Sequence, residues 1–196
     1  MGKKTDRLKA KAKRFKAKAK HLKDQLHQAG KQIAHLERIA DEDPLVAVLN
    51  RRAFMRELER VLAYIERYKC KASLVFIDLD DFKLINDKYG HVTGDMALQH
   101  IGDLLSANVR RSDVAGRLGG DEFGLIVNQA GFDEASRIAE KLCALILNTP
   151  FVLNGVEVTI SGSAGVAEMN PAINVQEVIE RADRAMYARK EAHTPK

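Results

Sequence analysis

Apolar residues in the first forty positions of the chain recur every seven residues and form two series. These series are Leu8, Phe15, Leu22, Ala29 and Leu36, and Ala12, Ala19, Leu26, Ile33 and Ala40. Two apolar positions in every seven make one stripe along a helix, which is typical of a parallel coiled coil. Residues 1–40 are therefore predicted to form a coiled-coil helix that pairs two copies of the chain. The pairing is expected to be weak, because alanine fills several seam positions and Gly30 lies within the run.

The heptad pattern ends at Asp41-Glu42-Asp43-Pro44, where the proline disfavours a helical conformation in the residue before it. We predict a hinge there, followed by a domain over residues 41–193. Its apolar patterns predict helix 50–68, strand 72–79, a short helix from 82, helix 93–109, strands 113–118 and 122–128, helix 132–148, a hairpin around 154–155 whose second arm is 156–166, and helix 175–190. This order is typical of an α+β fold with an antiparallel-centred sheet flanked by helices.

Composition narrows the class of protein. The chain has 196 residues, of which 45% are hydrophobic and 30% charged, enough for one domain of ordinary size and an extension. Its sequence contains neither an apolar run near the roughly 18 residues that span a bilayer nor a signal-peptide pattern, so a cytoplasmic location is expected. The two cysteines, Cys70 and Cys143, lie far apart and predict neither a disulfide framework nor a zinc site.

Charge is distributed unevenly between the two parts. Residues 1–31 carry twelve Lys or Arg against Asp6 and Asp24, a net charge of +10, so the remainder carries about −5 of the overall +5. A basic helix of this kind could bind nucleic acid or an anionic membrane surface. The heptads favour chain pairing first, with the lysines on the outside, so nucleic-acid binding is not expected and membrane contact has no further support.

A glycine pair, Gly119-Gly120, and two acids, Asp121 and Glu122, separate two short apolar segments. Because glycine tolerates positive φ and close backbone approach, the segment predicts a tight β-hairpin that presents both acids at its tip. The alternative is an ordinary surface turn, in which such residues are common.

A further apolar segment, 73–79, ends in Asp78, Asp80 and Asp81. Two acidic strand ends side by side predict a divalent-metal site. Mg²⁺ requires only one or two carboxylates besides phosphate oxygens and water, which Asp78 and Asp121 would supply. Asp80 and Asp81 could instead cap the N-terminus of the helix that begins at Phe82.

Two polar pairs are candidates for nucleotide contacts. The amide of Asn86 and the carboxylate of Asp95 together could read a guanine edge, although the pair alone is a weak signal. Arg110 and Asp113 offer a guanidinium fork and a carboxylate for phosphate or guanine. Alternatively, Arg110 is a basic residue at a helix C-terminus and Asp113 belongs to a turn.

The segment Gly119-Gly120-Asp121-Glu122-Phe123 reproduces the signature of the GGDEF family of diguanylate cyclases. The motif at 78–95 resembles the second long motif of that family, at the same separation from the signature. The resemblance covers roughly residues 41–193. It implies a catalytic domain related to nucleotide-cyclase and polymerase palms, which acts as a homodimer and condenses two GTP into cyclic di-GMP and two pyrophosphates.

The resemblance also implies a role for individual residues. It implies that two Mg²⁺ ions, or Mn²⁺, are held by Asp78, the Leu79 carbonyl and Asp121. It implies that Asp121 accepts a proton and is supported by Glu122. The implied substrate contacts are guanine binding by Asn86 and Asp95 with His91 nearby, and phosphate binding by Lys83, the amides around Asp81 and Phe82, and Lys190. Arg110 and Asp113 match the site at which the product inhibits the family.

The chain departs from the family pattern in two places. Residues 46–48 are Val-Ala-Val where the family has Thr-Gly-Leu, which concerns linker packing more than chemistry. After Lys190, residues 193–195 replace a Gly-Arg-Asn, so a second phosphate-binding arginine is missing and weaker GTP binding is expected. Two other functions are considered: a receptor that binds GTP or cyclic di-GMP without turnover, and a basic scaffold that docks on acidic surfaces. The intact acidic signature favours the enzyme.

Overall fold

The computed structural model describes residues 2–153 and 155–193. Side chains are described for all of these residues except 2–13, 17, 33–39, 192 and 193. The chain divides into two units, Met1–Asp41 and Glu42–Lys196. Within the described residues, none of the helices is long and apolar enough to cross a membrane.

The first unit is a single helix, α1, which spans Gly2–Asp41 and confirms the predicted helix. The seam residues Phe15, Leu22 and Leu26 are 63%, 55% and 75% exposed. The side chains of the other large seam residues, Leu8, Ile33 and Leu36, lie outside the described set. Pairing of two copies through this stripe stays a prediction.

The second unit alternates helices and strands in the predicted order. Its elements are α2 Arg51–Tyr68, β1 Ala72–Leu79, α3 Phe82–Tyr89, α4 His91–Asn108, β2 Val114–Gly119, β3 Glu122–Asn128, α5 Phe132–Asn148, β4 Phe151–Leu153, β5 Val156–Val158, β6 Gly162–Glu168 and α6 Val175–His193. Local hydrogen bonds set several of these bounds. Helix α2 begins at Arg51 because the Asn50 side-chain oxygen accepts from the Ala53 amide at 3.0 Å, which is N-capping.

The main sheet has four strands in the order β2-β3-β1-β6, and neighbouring strands are antiparallel. In its register Asp78 of β1 lies opposite Glu122 of β3 and Ser163 of β6. The antiparallel-centred α+β fold predicted from the sequence is confirmed.

The prediction of one continuous hairpin arm over 156–166 is wrong. The segment contains two strands in different sheets: β5 pairs with β4, whereas β6 pairs with β1. The two strands also differ in burial: β6 packs Ala164 and Val166 into the core, whereas in β5 only Val158 is buried and Val156 is 58% exposed. Asn154, in the predicted turn between β4 and β5, lies outside the described residues.

The sheet separates two hydrophobic cores, because alternate residues of a strand point to opposite faces. Val75, Ile77 and Leu79 of β1 pack on one face with residues of α3, α4 and α5. Leu74 and Phe76 pack on the other face with residues of α2 and α6. The C-terminal end of β1 and the N-terminal end of β3 lie side by side between these helical layers. Asp78, Asp80, Asp121 and Glu122 gather at this end of the sheet, which we call the acidic edge.

Helix α6 lies unusually close to β6. A Cβ atom added at Gly165 of β6 would lie 2.1 Å from the Ala182 carbonyl oxygen and 2.2 Å from the Met186 amide nitrogen. Only glycine permits this approach. Because α6 rests directly on the sheet, Lys190, one turn after Met186, reaches the end of β1.

Candidate active site

The Gly-Gly-Asp-Glu segment forms the predicted hairpin between β2 and β3. Gly120 and Asp121 make the turn, Glu122 is the first residue of β3, and the Leu79 amide donates to the Asp121 carbonyl at 3.2 Å. This bond joins the hairpin tip to the end of β1. The structure therefore brings together the two acidic strand ends that the sequence predicted as neighbours.

The glycine pair does not adopt positive φ, although glycine would allow it. Among the described glycines, only Gly90 and Gly155 have positive φ. Gly119 instead allows the close approach of a neighbouring side chain, since a Cβ atom there would lie 2.6 Å from Oε2 of Glu122. The missing side chain gives the Glu122 carboxylate its place beside the turn.

Two arginines hold the hairpin tip in position. Nε and Nη2 of Arg117 donate to the Gly120 carbonyl at 3.0 and 2.7 Å, while its Nη1 lies 3.2 Å from Oδ1 of Asp43. Nη1 of Arg51 donates to the Leu118 carbonyl at 2.7 Å. Sequence reasoning missed this network, because nothing local connects Arg117 with an aspartate 74 residues earlier.

Lys190 of α6 makes the principal cation contact at the acidic edge. Its ammonium group donates to Oδ1 of Asp78 and lies 3.4 Å from Oδ1 of Asp80. The same Oδ1 of Asp80 also accepts a hydrogen bond from the Ser163 hydroxyl at 2.8 Å. Burial lowers the pKa of Lys190, but the hydrogen bond to Asp78 and the charges of both aspartates outweigh it, so the net pKa is raised. Lys190 is therefore held as a cation between two carboxylates.

Glu122 shows the density of negative charge at this edge. Its pKa is raised by burial first, and then by the charges of Asp78, Asp121 and Asp183, while Arg51 opposes them. A cation bound near Glu122 would reduce the electrostatic repulsion between these carboxylates. This charge pattern fits a divalent metal, even though the described side chains contain no group of three His, Cys, Asp or Glu arranged as a ready chelate. Mg²⁺ needs only one or two carboxylates when phosphates complete its shell.

The predicted caps of α3 are wrong. Asp81 occupies the N-cap position with φ of 52°, but its side chain makes no capping hydrogen bond. The Asp80 carboxylate instead accepts a hydrogen bond from the Ser163 hydroxyl and forms an ion pair with Lys190. The Phe82 side chain is buried in the core, so only its backbone amide can serve a phosphate, and Lys83 is exposed beside it.

Asn86 lies against the first turn of α4. A Cβ atom at Gly94 would lie 1.9 Å from Oδ1 of Asn86, which shows how closely the amide side chain crosses that turn. His91 and Asp95 belong to the same turn and are exposed. Tertiary structure thus brings the proposed guanine-binding residues into one region, around the first turn of α4.

Arg110 and Asp113 lie at the opposite end of the sheet. Nη1 of Arg110 contacts Glu134 at 3.3 Å, and Oδ1 of Asp113 accepts from the Asn128 amide at 3.1 Å. Asn128 pairs with Ala72, six residues along the ladder from the acidic edge, a separation of about 20 Å at 3.4 Å per residue. The pair is therefore remote from the acidic edge.

A cavity of about 500 Å³ lies beside Ser163 and Arg189, next to the acidic edge. Cys143 contributes to its wall, and burial, followed by the charge of Asp80, raises the pKa of the thiol to about 11. The thiol is therefore protonated at neutral pH, and a protonated thiol is neither a nucleophile nor a metal ligand.

Comparison with known proteins places these motifs in a family. Residues 40–196 match the family model described as "Diguanylate cyclase, GGDEF domain". The chain is 34% identical over 164 residues to "Probable diguanylate cyclase DgcE" of Escherichia coli K12, covering 83% of this chain and 15% of that protein. It is 34% identical over 148 residues to "Diguanylate cyclase DgcS" of Shewanella oneidensis, covering 76% of this chain and 49% of that protein. The chain thus spans half or less of the length of these curated relatives.

A solved structure has the same fold over most of the chain. The coiled coil and GGDEF domain of DgcB from Caulobacter crescentus, in complex with c-di-GMP, superposes with a TM-score of 0.80 and 26% sequence identity. The match covers 91% of this chain and 95% of that one.

Proposed function

We propose a function on the premise that this chain belongs to the GGDEF family: it is a diguanylate cyclase that condenses two GTP into cyclic di-GMP and releases two pyrophosphates. One observation carries the proposal. Asp78 and the signature acids Asp121 and Glu122 meet at a single end of the sheet, beside a lysine and the N-terminus of α3. Because GTP is a cytoplasmic nucleotide, we propose that the protein acts in the cytoplasm.

Each residue at the acidic edge has a distinct part in the proposed reaction. Asp78, the Leu79 carbonyl and Asp121 would hold one or two Mg²⁺ ions, with Mn²⁺ as a substitute. When held there, Mg²⁺ would supply Lewis-acid chemistry: it would polarise the α-phosphate and lower the pKa of the attacking 3′-hydroxyl. Asp121 accepts the proton that this hydroxyl releases. Glu122, whose pKa is raised first by burial and then by the neighbouring acids, would add negative charge that helps to retain the metal.

Nucleotide binding uses the residues around α3 and α4. The N-terminal amides of α3, including that of Phe82, and the side chains of Lys83 and Lys190 hold the triphosphate, since helix N-termini and ammonium groups both favour anions. Asn86 and Asp95 hydrogen-bond the guanine edge, and His91 lies beside them in the first turn of α4. Residue 194, where the family carries a further arginine, lies outside the described part of the chain.

The reaction requires two copies of the chain. Each domain binds one GTP, so two half-sites must face each other before a bond can form between their nucleotides. We propose that α1 pairs with its counterpart and raises the effective concentration of one half-site near the other. The exposure of Phe15, Leu22 and Leu26 on α1 supports this role, because paired helices would bury that stripe.

Product inhibition is proposed at Arg110 and Asp113. The pair lies about 20 Å from the acidic edge by strand length, so cyclic di-GMP bound there leaves the catalytic groups free. It would act by holding the two domains in an unproductive arrangement, which requires that the product bind that arrangement more tightly.

One experiment tests the central proposal. The full chain is incubated with GTP and Mg²⁺, and the products are separated by chromatography. Formation of cyclic di-GMP and pyrophosphate by the wild type, but not by Asp121→Ala, is expected. GTP binding without any product in the wild type would favour the receptor function instead.

A further inference from the structure

The contacts of Lys190 suggest a role beyond phosphate binding. Its ammonium group contacts Asp78 and Asp80, the two carboxylates at the end of β1, and the Lys190 side chain as a whole is 35% exposed. The Ser163 hydroxyl donates to the same oxygen of Asp80, and the close approach of α6 to β6 at Gly165 delivers Lys190 to this place. The arrangement is thus built from three elements, β1, β6 and α6.

We propose that Lys190 occupies the cation position of the substrate-free site, and so makes the divalent metal enter together with the nucleotide. The inference rests on the proposed function, because it takes Asp78 as a metal ligand. An ammonium group and a divalent ion that need the same carboxylate oxygen compete for it. A metal ion without nucleotide must displace Lys190 and leave its charge without that partner.

A metal–nucleotide pair changes this competition. The triphosphate carries several negative charges and offers the Lys190 ammonium a new partner at the same moment as the metal takes Asp78. Lys190 can follow, since its long side chain lies at the surface near the end of α6. In this exchange the Asp78 carboxylate passes from Lys190 to the metal, and the Lys190 ammonium passes from Asp78 to the triphosphate, so each charge keeps a partner. Lys190 therefore couples metal affinity to nucleotide binding, and by linkage the metal strengthens nucleotide binding by the same factor.

The test measures Mn²⁺ binding to the 196-residue chain without nucleotide, by electron paramagnetic resonance of free Mn²⁺. Lys190→Met is expected to bind Mn²⁺ at least about tenfold more tightly than the wild type, because the competing cation is gone. Lys190→Gln serves as a second variant, and circular dichroism checks that both are folded. Arg184→Met is the matched control: it removes one charge from an exposed residue of α6 whose Nε bonds the Glu180 carbonyl, and it should leave Mn²⁺ affinity unchanged.

A second change identifies the site. Adding Asp78→Asn to Lys190→Met should return Mn²⁺ affinity to the wild-type level or below. Unchanged affinity in both Lys190 variants would overturn the inference, and so would a gain that Asp78→Asn does not reverse or that Arg184→Met reproduces.

The Mn²⁺ binding test and the test of cyclase activity can give different answers. Cyclic di-GMP production by the wild type, with no gain of Mn²⁺ affinity in the Lys190 variants, would reject the metal-coupling role alone. A gain that depends on Asp78, in a protein that makes no cyclic di-GMP, would reject the cyclase proposal and retain the competition between Lys190 and the metal.

Discussion

Arg117 is the residue whose replacement tests how the signature hairpin is held. We expect Arg117→Met to lower both stability and turnover, although the contacts of Arg117 are with Gly120 and Asp43 and not with the carboxylates proposed to hold the metal. Its guanidinium group makes two hydrogen bonds to the Gly120 carbonyl and an ion pair with Asp43, in which the two side chains are 16% and 14% exposed. Methionine keeps the length and apolar body of the side chain and removes these contacts.

The size of the effect follows from these three contacts. Hydrogen bonds to a charged group contribute about 1.5–3 kcal/mol each, and we use the lower end because the hairpin tip is exposed. The Asp43 carboxylate loses its cation but keeps the Leu45 and Val46 amides as donors at 2.9 and 3.1 Å. The two hydrogen bonds at that lower end account for about 3 kcal/mol and the ion pair for up to about 1 kcal/mol more, so the total loss is about 3–4 kcal/mol. In a domain of this size that corresponds to a fall in Tm of roughly 10 °C.

Turnover should fall as well, because Gly120 precedes Asp121 and a loosened turn displaces the proposed base. A displacement of about 1 Å at a reacting group costs on the order of 100-fold in rate, so a reduction of at least about tenfold is expected. Thermal unfolding by circular dichroism and steady-state release of pyrophosphate measure the two effects. Arg137→Met, at an exposed position of α5, is the control for loss of one positive charge.

The Asp43 arm of the network is tested by a double-mutant cycle. Asp43→Asn keeps an oxygen for the Leu45 and Val46 amides but removes the charge that Arg117 contacts. Combined with Arg117→Met, it should cost clearly less than the sum of the single changes. A Tm within about 2 °C of the wild type in Arg117→Met, or strict additivity in the cycle, would refute the view that Arg117 supports the hairpin.

Three further outcomes are expected. Asp121→Ala should reduce turnover at least about a hundredfold through loss of a metal ligand and base; activity within a few-fold of wild type would remove Asp121 from the site. Deleting residues 1–40 should lower specific activity most at low protein concentration, and activity that is independent of concentration in a chain that sediments as a monomer would contradict a coiled-coil dimer. In the Asp121→Ala background, Arg110→Ala should weaken cyclic di-GMP binding in calorimetry, and equal affinities would place the product elsewhere.

Much of the secondary structure could be predicted from the sequence, because its signals are local. The heptads predicted the helix of α1, and amphipathic or alternating patterns placed α2 and β1 within a residue of their observed bounds. The acidic motifs identified the end of β1 and the β2–β3 turn as neighbours. Their resemblance to a known family then assigned roles that spacing alone left open.

The long-range contacts were decided only by tertiary structure. Lys190 meets Asp78 across 112 residues of chain, and Arg117 meets Asp43 across 74. No periodicity encodes such pairs. The division of 156–166 between two sheets was equally out of reach, since both halves have strand-like sequences and only burial against β1 separates them.

The chemistry at the acidic edge likewise depends partly on the sequence and partly on the tertiary structure. The sequence determined which residues carry charge, and a carboxylate or an ammonium group is the same wherever it stands. Their spacing, burial and partners come from packing, such as the approach of α6 to β6 that Gly165 permits. That packing raises the pKa of Glu122 and pairs Lys190 with Asp78. Electrostatic energy depends on distance and solvent exposure, so the properties of this edge exist only in the folded chain.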